Sequence, residues 1–365
     1  FATKILAFIL VLGLLLPKVT VDHLLAMPIN NALLISAMPI FFTSFGFHGS
    51  IPSLNKYLDG NVKALRISIV VGTAIPLIAY ILWQLATHGV LSQTEFMEIL
   101  ELKEISKNIR RNIVEMVYHA KSGHPGGSLS IADLLTVLYF EEMKLDPSDA
   151  RSPKRDRFVL SKGHAAPAIY ATLMEKGYVD KALVTELRKF GSPLQGHPDL
   201  KKLPGIDMST GSLGQGLSAA QGMAISAKIS NDDFRVYAIL GDGELQEGQV
   251  WEAFMSAPHF GLDNLVAIVD SNDLQIDGNV SKVMPVEPLT DKFKAFNWHV
   301  INIDGHNFEE IRKALEEARN TKGKPTVIIA KTVKGKGVSF MENNAGWHGK
   351  APNKEEFEKA MEELK

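Results

Sequence analysis

Along residues 1–93 apolar positions follow one another without a period; from Glu95 they recur every third or fourth position between charges. The first pattern has three stretches. They are ILAFILVLGLLLP (5–17), the uncharged residues 23–55 centred on ALLISAMPIFFTSFGF (32–47), and ISIVVGTAIPLIAYILWQLAT (67–87). The last matches the ~20 residues that a bilayer core requires, and a membrane helix tolerates a proline such as Pro76. The pattern predicts an α-helical, membrane-like segment with two to three spans, the one over 5–17 being cut short. A buried core helix is a poorer reading of 67–87, which is too long and unpatterned. A signal-peptide core over 4–16 lacks a Met start and a small-residue cleavage site.

The second pattern is that of an α/β domain. EILELKEISKNIRRNIVEMVYHA (98–120) has helical spacing, and short β-rich runs follow at 235–240, 265–270, 299–304 and 326–331 with helical stretches between. Nearly continuous apolar strands alternating with helices predict a parallel sheet with helices on both faces. The tail NKEEFEKAMEELK reads as a surface helix. The domains expected are therefore 1–93, a junction at 94–96, and 97–365.

Charge sharpens the division. Residues 1–93 carry only Lys4, Lys18, Lys56, Lys63 and Arg66 against Asp22 and Asp59, so the net negative charge of the chain lies in the rest. Neither part has the basic excess that nucleic-acid binding needs, so no nucleic-acid partner is expected. The chain has no cysteine, which excludes disulfides, thiolate nucleophiles and Cys-based metal sites.

The chemistry concentrates in AILGDGELQEGQVWEAFMSAPHFGLDNLVAIVDSNDLQIDG (238–278). A strand ends at Gly241-Asp242-Gly243, where the glycines allow a tight turn and close approach of a ligand. Asp242 is a hard oxygen ligand suited to Mg²⁺ or Ca²⁺. At the end of the next strand Asn272 supplies another oxygen, on the same carboxyl edge where open α/β sheets bind ligands. Alone, Gly-Asp-Gly would be an ordinary turn. The pair, each member closing an apolar strand, points to a cation bridging to a diphosphate.

That pair is similar to the thiamine-diphosphate signature, and six motifs in order narrow it. AKSGHPGGSLSIADLLTVLY, LSKGHAAPAIYATL, GHPDLKKLPGIDMSTGSLGQGLSAAQGMA, GDGELQEGQVWEA, DSNDLQIDG and GWHGKAP resemble the N-terminal, thiamine-diphosphate-binding half of transketolases across 97–365. Deoxyxylulose-phosphate synthase and the α subunits of 2-oxoacid dehydrogenases are the nearest alternatives within the fold. The resemblance implies that Asp242, Asn272 and the Leu274 carbonyl hold Mg²⁺, and that His164, Gly243 and Asn272 contact the diphosphate. It further implies that Gly211, Ser212 and Leu213 line the cofactor, that His124, His197 and His348 face the substrate with His348 also near the diphosphate, and that Glu247 is a subunit-interface carboxylate. His88, His119, His259, His299 and largely His306 read instead as surface or capping residues.

In the family a second α/β domain supplies the glutamate that protonates the aminopyrimidine and most of the sugar-phosphate contacts, and no such domain follows GWHGKAP. The resemblance thus implies an N-terminal subunit of a split transketolase. It would transfer a two-carbon ketol unit between sugar phosphates, need a C-terminal partner subunit, and form a hetero-oligomer built on a dimer. PIFFTSFGFHGSIPSLNKYLDGNVKALR and GTAIPLIAYILWQLATHG resemble aromatic amino acid permeases, over a slice too small to transport. A membrane-anchored or transporter-derived fusion with an inactive passenger domain is the competing reading. The cations before 67–87 would place residues 95 onward across the membrane from cytosolic sugar phosphates. Residues 97–365 are expected in the cytoplasm, and a membrane location follows only if 1–93 is expressed in the same chain.

Overall fold

Four runs of β-branched and aliphatic residues, with one shorter strand before them, build the centre of the fold. In the computed structural model, which describes residues 2–19, 56, 58, 59, 61–90 and 93–365, the strands are β1 (Arg157–Leu160), β2 (Val236–Gly241), β3 (Leu265–Ser271), β4 (Leu274–Gln275), β5 (Gly278–Asn279), β6 (His299–Asp304) and β7 (Thr326–Lys331). Five of them form one sheet in the order β1-β2-β3-β7-β6. Every pair in it is parallel, with Val236 opposite Leu265 and Val266 opposite Thr326. The expected parallel α/β architecture is therefore present. The strand missed by the pattern is β1, whose four residues are too few to show a period. The β4–β5 pair is a two-residue antiparallel ladder.

Alternation along each strand gives the sheet two apolar faces. Val236, Ala238, Leu240, Ala267 and Val269 share one buried core with helices Gln215–Ser230 and Gly248–His259. Tyr237, Ile239, Val266 and Ile268 are also buried and point the other way. The tail helix Lys354–Glu363 starts on a capping box, in which Asn353 accepts from the Glu356 N–H at 2.8 Å and Glu356 accepts from the Asn353 N–H at 2.8 Å.

The chain divides into two compact units, Phe1–Leu100 and Glu101–Lys365, with the boundary inside one helix, Gln93–Ala120. In the first unit helix Ala2–Leu15 lies against helix Val62–Val90. Leu12 is buried while Ile9, Leu10, Leu14 and Val70 are exposed. Among the described residues no helix is long and apolar enough to cross a membrane, so the expected spans are not supported. Helix Ala2–Leu15 has 14 residues, or ~21 Å, against the ~30 Å of a bilayer core. Helix Val62–Val90 runs for 29 residues and opens on the cations Lys63 and Arg66. The central stretch expected over 32–47 lies outside the described residues.

Candidate active site

The carboxyl ends of neighbouring strands converge on a cavity of about 430 Å³. Strand β1 runs into Lys162 and His164, β2 into Asp242 and Gly243, β3 into Asn272 and Leu274, and β7 into Lys334; all of these line the cavity. A parallel sheet directs every strand's end to one edge, so residues far apart in sequence meet there.

At the β2 and β3 ends Asp242 is 4% exposed. Its Oδ1 accepts from the Gly243 N–H at 2.8 Å, and its Oδ2 from the Asn272 and Asp273 N–H groups at 2.9 and 2.5 Å. Burial first, then the neighbouring Asp270 charge, pushes Asp242 up to about 6. Asn272 donates its amide to Asp270 Oδ2 at 3.0 Å, which fixes its Oδ1 as the acceptor facing the Leu274 N–H at 3.0 Å. The Leu274 carbonyl accepts Lys334 Nζ at 2.8 Å, and the same ammonium is 2.9 Å from His348 Nδ1. Burial, and then Lys162, lowers Lys334 to about 8.

Three imidazoles stand together opposite this group. The ring centroids of His124, His164 and His348 lie 5.2, 5.4 and 5.0 Å apart in the pairs 124–164, 124–348 and 164–348. Burial dominates in holding all three below the usual histidine range. His124 falls to about 4 with help from Arg188 and His197, His348 to about 3 with help from Lys334, and His164 lies well below its ordinary value with help from Lys162. All three are neutral at pH 7. His124 Nδ1 is buried without a hydrogen-bond partner among the described residues, an acceptor or donor left for a ligand.

The residues expected to serve the site are not all equally placed. His164, Gly211, Leu213, Gly243, Glu247 and His348 line the cavity together with the three cation candidates. His124 stands behind it on the other two rings, and His197 packs against Gly211. Ser212 is exposed and outside the lining. Close approach explains two glycines: a Cβ on Gly163 would lie 2.6 Å from Gly211 N and from Thr210 Oγ1, and Gly211 itself has φ +152°.

Sequence reasoning passed over the buried polar frame. Lys162 Nζ bonds Asp270 Oδ2 at 2.5 Å and the Gly127 carbonyl at 2.7 Å. Asp270 Oδ2 also accepts from Ser130 at 2.7 Å. Glu244 ties three loops, accepting from Ser161 Oγ at 2.5 Å, Gly214 N–H at 2.8 Å and Gly241 N–H at 3.1 Å. A lysine two positions before His164, an aspartate two before Asn272, and a Gly/Lys-rich run after β7 were the available signals.

Thiamine diphosphate and a divalent cation fit these residues. A buried ammonium, a neutral histidine cluster and a buried carboxylate fixed by backbone amides suit an anion bridged to a cation. Among the described residues no group of three or more His, Asp or Glu side chains could hold a metal. The cation candidates comprise one carboxylate, one amide and one carbonyl, so phosphate oxygens would have to complete the shell.

The family described as "Transketolase, thiamine diphosphate binding domain" matches residues 102–364. The tryptophan/tyrosine permease family also matches, over 1–122, but weakly and without support from the other comparisons. The chain is 45% identical over 268 residues to an apulose-4-phosphate transketolase subunit of Phocaeicola vulgatus, covering 73% of this chain and 94% of that one. It is 46% identical over 265 residues to 6-deoxy-6-sulfo-D-fructose transketolase subunit SqwG of a Clostridium species, covering 73% and 96%. Human transketolase is 44% identical over 264 residues, 72% of this chain but 42% of that protein. The solved transketolase of Leishmania mexicana superposes with a TM-score of 0.69 at 35% identity, over 72% of this chain and 41% of that one. The chain thus spans about two-fifths of such full-length enzymes and nearly all of the two relatives named as transketolase subunits. It belongs to the transketolase family and holds its thiamine-diphosphate-binding domain.

Proposed function

We propose that this chain is the cofactor-binding subunit of a two-subunit transketolase, moving a two-carbon ketol unit from an anionic ketose to an aldose phosphate. The observation that carries it is the convergence of Asp242, Asn272, Lys334, His164 and His348 on one cavity at the carboxyl edge of the sheet, with His124 against both imidazoles. The names of the relatives, a transketolase subunit for apulose 4-phosphate and another for a sulfo-sugar, support both a separate partner chain and an anionic sugar.

Asp242, the Asn272 amide oxygen and the Leu274 carbonyl would hold Mg²⁺ (Ca²⁺ would also suit them), and Lys334, His164 and Gly243 the diphosphate. The cofactor supplies the electron sink for breaking and forming a carbon–carbon bond next to a carbonyl. The chain's own residues bind, orient and move protons. Lys334 would give up the Leu274 carbonyl to the cation and turn its charge to the phosphate. His124 and His348, neutral in the free chain, would accept hydrogen bonds from sugar hydroxyls. Their basicity is suppressed by burial and by nearby cations. A diphosphate beside Lys334 would offset the cationic part and raise their pKa toward the working pH, where proton transfer is most effective. His197 would stand by at the sugar end and Glu247 at the partner's surface. Ser212 would reach a ligand only if its loop turned inward.

The test is two-carbon transfer by the purified chain, with and without a separately produced subunit carrying the second transketolase half. Activity only in the mixture is expected; full activity of the chain alone would overturn the two-subunit reading. For residues 1–93 we propose descent from a permease gene joined to the enzyme near Met97, a reading that rests on the permease-like motifs of that stretch and on a weak family match over 1–122. The intact mass of the cellular product tests it: a product that starts at Met97 would remove 1–93 from the enzyme.

A further inference from the structure

The sequence places His306 in a polar turn after β6, and the proposed chemistry makes no use of it. The structure puts it inside a chain of hydrogen bonds that ends at the cofactor pocket. His306 Nε2 accepts from the Val333 backbone N–H at 2.8 Å, so that nitrogen carries no proton. Nδ1 is then the donor to Asp133 Oδ2, at 2.8 Å. The imidazole is 13% exposed, which corrects the expectation of a surface or capping residue.

Asp133 is a fixed base for this chain. Arg110 donates to its two oxygens at 2.9 and 2.7 Å, and Ser106 Oγ donates at 2.5 Å. Burial alone would raise the Asp133 carboxyl, but the Arg110 charge and the bonds from His306, Arg110 and Ser106 hold it well below the usual range. It therefore accepts from His306 across the neutral pH range.

On the other side of the imidazole, Val333 adjoins Lys334 in the strap that leaves β7. The Thr332 N–H bonds the Ser271 carbonyl at 3.1 Å, the Thr332 hydroxyl bonds Asp270, and the Gly335 N–H bonds the Gly126 carbonyl at 2.9 Å. The Val333 amide is the link beside the lysine itself. A polar hollow of about 1010 Å³ borders this part of the strap and is lined by His306, Thr332 and Val333. Without the imidazole, water could satisfy the freed amide, so the loss would fall on placement more than on stability.

We propose that His306 is a positioning residue of the cofactor pocket: anchored on Asp133, it holds the strap at Val333 and so aims Lys334 at the diphosphate. The inference rests on reading the pocket as the thiamine-diphosphate site. It is tested by calorimetric titration of the full chain with thiamine diphosphate and Mg²⁺, comparing wild type, His306→Asn, His306→Gln, Lys334→Met and the double variant His306→Asn/Lys334→Met. Asparagine keeps a donor toward Asp133 but cannot reach the Val333 N–H, whereas glutamine can. His306→Asn should bind about tenfold more weakly at nearly unchanged melting temperature, glutamine should restore most of that loss, and the double variant should bind like Lys334→Met alone, because both act through one lysine. Unchanged affinity in His306→Asn, additive losses in the double variant, or failure of glutamine to restore binding would each overturn the inference and leave the pocket reading standing. Wild type that binds no thiamine diphosphate would overturn both.

Discussion

Lys162 Nζ lies 2.5 Å from Asp270 Oδ2, and the two side chains are 2% and 0% exposed beneath the cofactor cavity. The pair joins the loop after β1 to the end of β3, and through Ser130 and Gly127 it reaches the His124 loop. Removing one partner of a buried pair leaves an uncompensated charge. Lys162→Met should therefore cost about 3–5 kcal/mol of stability, measured by urea unfolding; a loss below about 1 kcal/mol would show that water reaches Asp270.

The histidines give the fold an acid-side weakness. His124 and His348 sit at about 4 and about 3 in the folded chain, below their ordinary value of 6.5. Above pH 6.5 both states are neutral and neither group affects stability. Below it the unfolded chain takes up protons that the folded chain refuses, so stability falls as pH drops from about 6.5 toward 4. Denaturant midpoints at pH 7, 6 and 5 measure the slope, and His124→Gln should reduce it. Saturating pyrophosphate with Mg²⁺ should raise the histidine titration midpoints seen by NMR.

Asp242 is the sole carboxylate among the three expected cation ligands. Asp242→Asn keeps the side-chain shape but turns one acceptor into an NH2 donor facing backbone N–H groups, so it should lower the melting temperature as well as remove the carboxylate. It should weaken Mg²⁺-dependent cofactor binding by more than the 10–100-fold typical of groups one step removed from a metal. Titration with thiamine diphosphate across Mg²⁺ concentrations checks this, and unaltered Mg²⁺ dependence would move the cation elsewhere.

Gly163 is where two loops touch. Gly163→Ala forces a methyl into a 2.6 Å gap against Gly211 N and Thr210 Oγ1, which should cost about 1–3 kcal/mol and lower cofactor affinity in parallel. Thermal unfolding and titration of the same sample report both. A loss in one alone would separate the loop contact from the pocket.

The tail helix provides a control remote from the chemistry. Asn353→Ala removes half of the capping box and should cost about 1 kcal/mol, read as a lower melting temperature, with cofactor affinity unchanged.

The sequence by itself determined the main strands and the change in charge density near residue 95, because apolar period and charge density are local properties. It also marked Asp242 and Asn272, since each closes an apolar strand and a parallel sheet brings such ends to one edge. The six glycine-containing motifs, four of them with a histidine, carried the family. Over residues 1–93 hydropathy alone suggested membrane spans that no helix among the described residues supports. Only the tertiary structure decided the polar frame. Lys162, Asp270, Glu244, Lys334 and His306 are ordinary charged or polar letters, each with at least one partner 27 to 173 positions away. Their value comes from burial beside one another, and no periodicity along the chain encodes which distant side chain will share a buried charge.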